Sequence, residues 1–371
     1  MLPASTESVA ALPGGPGRVR PRRLRGALVV RLLAYAVGAA SMAQLLRTID
    51  LSEATAVVAG AGPAVALALA PLGLQILLEA VSWRALLSRL GRTVRQGAAL
   101  RVSLVGEGVR LAFPGGAAAG DAARTALFRV EAGVPVPDGA AALAIRKLCH
   151  LATQGVYLAL GAALGTALFA AAGSPRALRA GTLSTAFALT AAAAALSLAL
   201  FHGRVASRME RLLSRLTRGR FAAALEARRS SYAALDERLR TLLGRHGGTL
   251  AWNLVTALAG WLLEAAEAWL LLLLLGVPIA PGEAIALEAL VSVARSAAFA
   301  VPGGLGVQDL GYHALLRGLV GEPAAAAFVL MRRARDLSWI AIAFLSRLTR
   351  SPPLVSPLGH PRNQCDGSRP S

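Results

Sequence analysis

The chain has 371 residues, 55% of them hydrophobic, and a formal net charge of +19. A mean hydropathy of +0.56 excludes an ordinary soluble domain. The charge does not point to nucleic acid as a partner. The arginines stand in short runs beside apolar spans, as in Arg18-Val19-Arg20-Pro21-Arg22-Arg23-Leu24-Arg25, where the positive-inside rule places them.

A bilayer span takes about 20 apolar residues. In chain order a basic arm, 1–26, is followed by six such stretches: 27–46, 56–82, 138–171, 180–203, 249–276 and 323–346. Two weaker stretches, 98–117 and 284–306, lie among them. Segment 204–247 sets charged residues between leucines and predicts amphipathic helix on the cytoplasmic surface. Residues 351–371 hold five prolines without apolar periodicity and predict a disordered tail. Cys149 and Cys365 form no disulfide framework, and no metal-ligand spacing occurs, so neither metal nor cofactor is expected.

The weaker stretches share a motif. Ala112-Phe113-Pro114-Gly115-Gly116 leads to Asp121, and Ala300-Val301-Pro302-Gly303-Gly304 leads to Asp309, at equal spacing. A second echo follows: Arg146-Lys147-Leu148-Cys149-His150-Leu151 answers Arg332-Arg333-Ala334-Arg335-Asp336-Leu337. Basic segments at 18–25, 84–101, 204–245 and 347–350 all belong inside. That parity has the first Pro-Gly-Gly segment re-enter from the cytoplasm and the second from outside; the alternative is that both cross fully, giving eight spans with basic loops on the wrong side. The fold expected is an all-α polytopic membrane protein with about six spans and two re-entrant segments. It is an inverted-topology repeat, with repeat 1 at 27–171, repeat 2 at 180–346, and both termini cytoplasmic.

Broken helices at membrane depth are tolerated where they line a wet cavity, and carriers place substrates there. Arg146, Lys147 and His150, with Arg332 and Arg333, are candidates for an anionic headgroup, because guanidinium binds phosphate through two parallel hydrogen bonds. Internal ion pairs are the alternative, with Glu107, Glu264, Glu267 or Glu288 as partners or as coupling groups. Counted back from each proline, Glu107 and Arg295 match, which predicts a salt bridge between repeats. Pro114, Gly115 and Gly116, like Pro302, Gly303 and Gly304, are read as tight turns, and Asp121 and Asp309 as caps of the helices that follow.

At these motifs the sequence resembles the flippase-like membrane region of lysylphosphatidylglycerol synthase and its free-standing relatives. The second motif, with Gly260-Trp261-Leu262-Leu263-Glu264 before it, is similar to a branch often encoded beside hopanoid-biosynthesis genes. The resemblance covers about residues 27–347 and implies lipid translocation in a bacterial cytoplasmic membrane. Relatives commonly have Glu where Asp309 stands. About two dozen residues follow the last span, too few for an aminoacyltransferase domain, so lysyl transfer is not expected. The leading expectation is a flippase-like transporter of a polar or anionic lipid, not an enzyme. Its expected partners are membrane lipids and enzymes of lipid biosynthesis. The alternatives are a subunit or enzyme of hopanoid or polyprenyl lipid modification, and a membrane scaffold.

Overall fold

The computed structural model describes residues 52, 56, 58–60, 62–113, 116–171, 175–201, 229–244, 247–297 and 306–348. The basic arm, the span expected at 27–46, residues 202–228 and the C-terminal residues 349–371 lie outside these, as do Pro114, Gly115, Pro302, Gly303 and Gly304. The protein is an all-α membrane protein. After a 3-10 turn, Gly62–Leu69, come α1 Ala70–Arg89, α2 Gln96–Ala112, α3 Gly116–Ala132, α4 Val136–Leu164, α5 Thr166–Ala171 and α6 Pro175–Phe201. Then follow α7 Arg229–Gly244, α8 Gly247–Leu274, α9 Pro281–Ala297, α10 Val307–Val320 and α11 Glu322–Leu348.

Among the described residues three helices are both long and apolar enough to cross a membrane: Ala66–Arg89, Arg176–Leu198 and Gly247–Leu274. With 29 and 27 residues, α4 and α11 are as long but carry their cationic clusters mid-helix. The expected span 138–171 is divided: Gly165 ends α4, its N–H bonding back to the Gly161 carbonyl, and α5 starts a new helix. Two N–H groups of α5 donate to the Glu283 carboxylate, from Ala167 at 2.9 Å and Leu168 at 2.8 Å. This supplies acceptors to donors that a helix start leaves orphaned.

Each motif segment joins two helices that fold back antiparallel. In the first pair Arg124 lies against Gly106, Gly120 against the Gly106 carbonyl, and Arg101 reaches Glu131 at 3.3 Å. In the second, Tyr312 donates to Glu288 at 2.8 Å and Gly311 meets Val291. At 17 residues, α2 is about 25 Å long, short of a full crossing of the hydrocarbon core.

The halves match in register. Both α1 and α8 end in the same turn, at Gly91 (φ 73°) and Gly276 (φ 76°). In each, the N–H after the glycine returns to the helix, Arg92 to Leu87 O and Val277 to Leu272 O, both at 2.9 Å. Helices α2 and α9, both of 17 residues, follow. At the centre α1 runs antiparallel to α8: Gln75 meets Glu264, Ser82 bonds Asn253, and Arg89 meets Thr249. The packing is exchanged reciprocally, α2 on α11 and α9 on α4. Small residues allow these approaches, Gly108 on Ala343 and Gly161 on Ala286 and Ala289.

The expected surface helix is docked on protein. Leu239 and Leu242 of α7 are buried in a core with Trp83, Leu87, Phe128 and Ile145, and Arg238 reaches Asp138 at 2.8 Å. A second core, around Leu271, Leu287, Tyr312 and Phe328, holds repeat 2. A third, with Tyr157, Trp261 and Ala289, joins the halves.

Candidate functional site

A cavity of about 340 Å³ lies where the two halves meet. It is walled by α1 (Leu72 to Ser82), the tip of the α2–α3 pair, α4 from Leu143 to Gln154, α8 from Asn253 to Glu264, and Ser292 and Arg295 of α9. Five cationic side chains line it, Arg110, Arg124, Arg146, Lys147 and Arg295, with four acidic ones, Glu79, Glu107, Asp121 and Glu264. So many charges among spanning helices are costly unless paired, and the pairs form two networks.

In repeat 1, Glu79 is the hub. Arg124 contacts it at 3.0 Å and Arg146 at 3.0 Å. Glu107 accepts from Arg110 at 2.5 Å and Arg124 at 3.1 Å. Arg146 also donates to Ser82 Oγ at 2.6 Å and lies over the Trp83 ring. Lys147 meets Asp121 at 2.7 Å. His150 stacks on Trp261, ring centroids 4.3 Å apart, and Trp261 stacks in turn on Tyr157.

In repeat 2, Arg295 contacts Glu264 at 2.9 Å and Glu288 at 3.5 Å. Arg332 donates to Glu288 at 2.6 Å and stacks over Tyr312 and Phe328. Glu267 takes Arg335. Arg333 binds Asp309 at 2.6 Å and Asp336 at 2.8 Å.

The structure thus divides the residues singled out in the sequence. Arg146, Lys147, His150, Glu107, Glu264 and Asp121 reach the cavity. Arg332, Arg333, Glu267 and Glu288 do not line it; they are consumed in ion pairs between α8, α9, α10 and α11. Asp309 accepts from Gly306 N–H at 2.8 Å at the start of α10, where φ of Gly306 is 76°. Asp121 instead lies inside α3, five residues past its start at Gly116, and not at the cap position. No Glu107–Arg295 bridge forms, because each pairs within its own repeat. Gly116 sits where an added Cβ would lie 1.9 Å from the Arg110 carbonyl oxygen, so the turn into α3 admits no side chain.

One cavity residue, Arg110, was not singled out in the sequence. Counting from helix starts rather than from the prolines pairs Arg110 with Arg295, each at the same place in α2 or α9. The stretch between the printed ends of α9 and α10, 298–306, has more residues than that between α2 and α3, 113–115, which put the proline count out of register. A legible signal was the repeat of Leu77-Leu78-Glu79-Ala80 as Leu262-Leu263-Glu264-Ala265, with the same spacing to Gly91 and Gly276.

Among the described residues no group of three His, Cys, Asp or Glu could hold a metal. The arrangement offers a polar chamber among the spanning helices with one more cation than carboxylates on its walls, and cationic donors that are partly exposed. Side-chain exposure is 28% at Arg110, 21% at Arg146 and Arg295, and 50% at Lys147, against 4% at Arg124.

The chain is 28% identical over 332 residues to a protein of Haloferax volcanii named glycosyltransferase AglD. That similarity takes in 83% of this chain and 52% of the relative, so the chain spans about half the relative's length. The family described as lysylphosphatidylglycerol synthase TM region matches residues 27–344, and this protein belongs to it.

Proposed function

We propose that the protein carries a lipid with a polar, anionic headgroup between leaflets of a bacterial cytoplasmic membrane, the headgroup passing through the cavity. One observation carries this reading. Four partly exposed cations, Arg110, Arg146, Lys147 and Arg295, face one chamber from both halves of the molecule. A headgroup leaving water loses hydration, and charge-assisted hydrogen bonds from fixed cations replace it. The acyl chains stay in the bilayer while the headgroup crosses. Membership of a membrane family tied to lipid modification supports the reading.

Reconstitution in liposomes with fluorescent headgroup-labelled lipids tests it. Leaflet exchange above that of empty vesicles is expected for an anionic lipid. Arg146→Gln slows it by about tenfold, the order of one charge-assisted hydrogen bond. Absence of exchange across a broad lipid panel, in folded protein, overturns the transport reading.

The Haloferax relative's name favours a second reading, a membrane component of glycosyl-lipid or polyprenyl-lipid modification. Lipid analysis of a deletion strain separates the two. A missing chemical species favours the modification role, and a lipid present in the wrong leaflet favours transport.

A further inference from the structure

The cavity cations are not equivalent. Arg124 is enclosed by three carboxylates, Glu79, Glu107 and Asp121. Arg146 is held by Glu79 and Ser82, and Arg110 by Glu107 through several short bonds. Lys147 differs on each count. Its side chain is 50% exposed, and among the described residues its ion-pair partner is Asp121 alone, at 2.7 Å. It stands eleven residues inside α4, about 16 Å from the helix start at 1.5 Å per residue, well within this 29-residue helix.

Its chemistry also differs. Lys147 is the single lysine among 39 lysines and arginines. A guanidinium grips a carboxylate with a planar fork, whereas an ammonium is a point charge with rotatable donors that exchanges partners freely. Asp121 has a second cation to hold it if Lys147 leaves: Arg124 Nη1 lies 3.7 Å from Asp121 Oδ1, one turn along the same helix. Losing Lys147 therefore leaves the Asp121 carboxylate beside a positive charge.

We propose that Lys147 is the phosphate-ester site of the cavity and Asp121 its exchangeable counter-ion. An entering phosphate ester takes the Lys147 ammonium while Asp121 falls back on Arg124. When the ester leaves, Asp121 returns to Lys147. This rests on reading the cavity as the headgroup passage and names the headgroup chemistry it takes. No bond is made or broken; the five cations and four carboxylates that line the chamber leave one net positive charge, which the ester's negative charge neutralises. Asp121 is then a built-in competitor that keeps binding weak enough for release.

Calorimetric binding of dihexanoyl phosphatidylglycerol to the detergent-purified full chain tests the exchange without requiring transport. Lys147→Gln is expected to weaken binding about tenfold, and Asp121→Asn to strengthen it about tenfold, each the order of one charge-assisted contact. The double variant binds as Lys147→Gln does, because Asp121 acts through Lys147. A merely structural Asp121 gives the opposite sign, with Asp121→Asn binding more weakly. That result, or a gain that persists without Lys147, overturns the proposal. If Asp121→Asn does not fold, unchanged binding by Lys147→Gln overturns it alone. Glycerol 3-phosphate is the second probe. Equal affinity assigns the exchange to any phosphate ester, and a clear advantage to the lipid assigns it to a headgroup; both uphold the exchange. Binding that shifts as expected, with no leaflet exchange in vesicles, sinks the transport reading and leaves this one standing.

Discussion

Arg146 and Arg332 hold matching places in the two repeats yet meet different fates. The Arg146 side chain keeps 21% of its surface open and faces the cavity; that of Arg332 keeps 4% and is spent on Glu288, itself fully buried. Removing one partner of such a pair strands a charge, which costs about 3–5 kcal/mol, whereas replacing both with apolar groups is often neutral. Arg332→Ala is therefore expected to lower the thermal midpoint of the detergent-solubilised protein sharply. The joint change Arg332→Met with Glu288→Leu should recover most of the loss. A midpoint unchanged in Arg332→Ala would show that Glu288 is not held by this contact. The sequence exposed both arginines through their shared motif. It could not tell structural ion pair from cavity wall, because that depends on which helix supplies the carboxylate. Glu79 comes from a neighbouring span for Arg146, and Glu288 from the paired short helices for Arg332.

At the scale of elements, the break between α2 and α3 was legible, because a helix breaker within an apolar run has few uses in a bilayer. The register between repeats was not legible from the prolines, since the stretches between helices, 113–115 and 298–306, differ in length while α2 and α9 do not. The helices that carry Arg110 and Arg295 are held by small-residue contacts. A Cβ added at Gly161 of α4 would lie 2.6 Å from Ala289 Cβ and 3.2 Å from Ala286 Cα of α9. Overpacking of this kind costs about 1–3 kcal/mol. Gly161→Val should therefore lower the melting midpoint and displace Arg295 from the cavity wall, reducing leaflet exchange as well. Gly181→Val on α6, where nothing lies within 4 Å, is the matched control and should change neither. Equal behaviour of the two variants would mean that the α4–α9 contact does not position the site.

For the whole molecule, antiparallel packing of α1 on α8 has a geometric consequence. A two-fold axis that exchanges antiparallel spanning helices runs across them, and on that geometry the repeats are expected to face opposite sides of the membrane. Charge agrees with this. The ends of α1, α3 and α11 and the starts of α2, α4 and α8 gather at one end, where Arg92, Arg101, Arg238 and Arg347 pair with Asp138 and Glu131. The far end, with Gly276, Pro281 and Glu322, has fewer arginines. Basic loops stay in the cytoplasm, so the α2–α3 pair should open inward and the α9–α10 pair outward. Single cysteines placed at Glu131 and at Gly276, in a background with Cys149 and Cys365 replaced by alanine, test this in intact cells. A membrane-impermeant thiol reagent should label position 276 from outside, and position 131 only after the membrane is opened. Labelling of both positions from one side would refute the inverted repeat. The two short-helix pairs would then enter from the same face, and the matching of Arg110 with Arg295 across the cavity would lose its geometric basis.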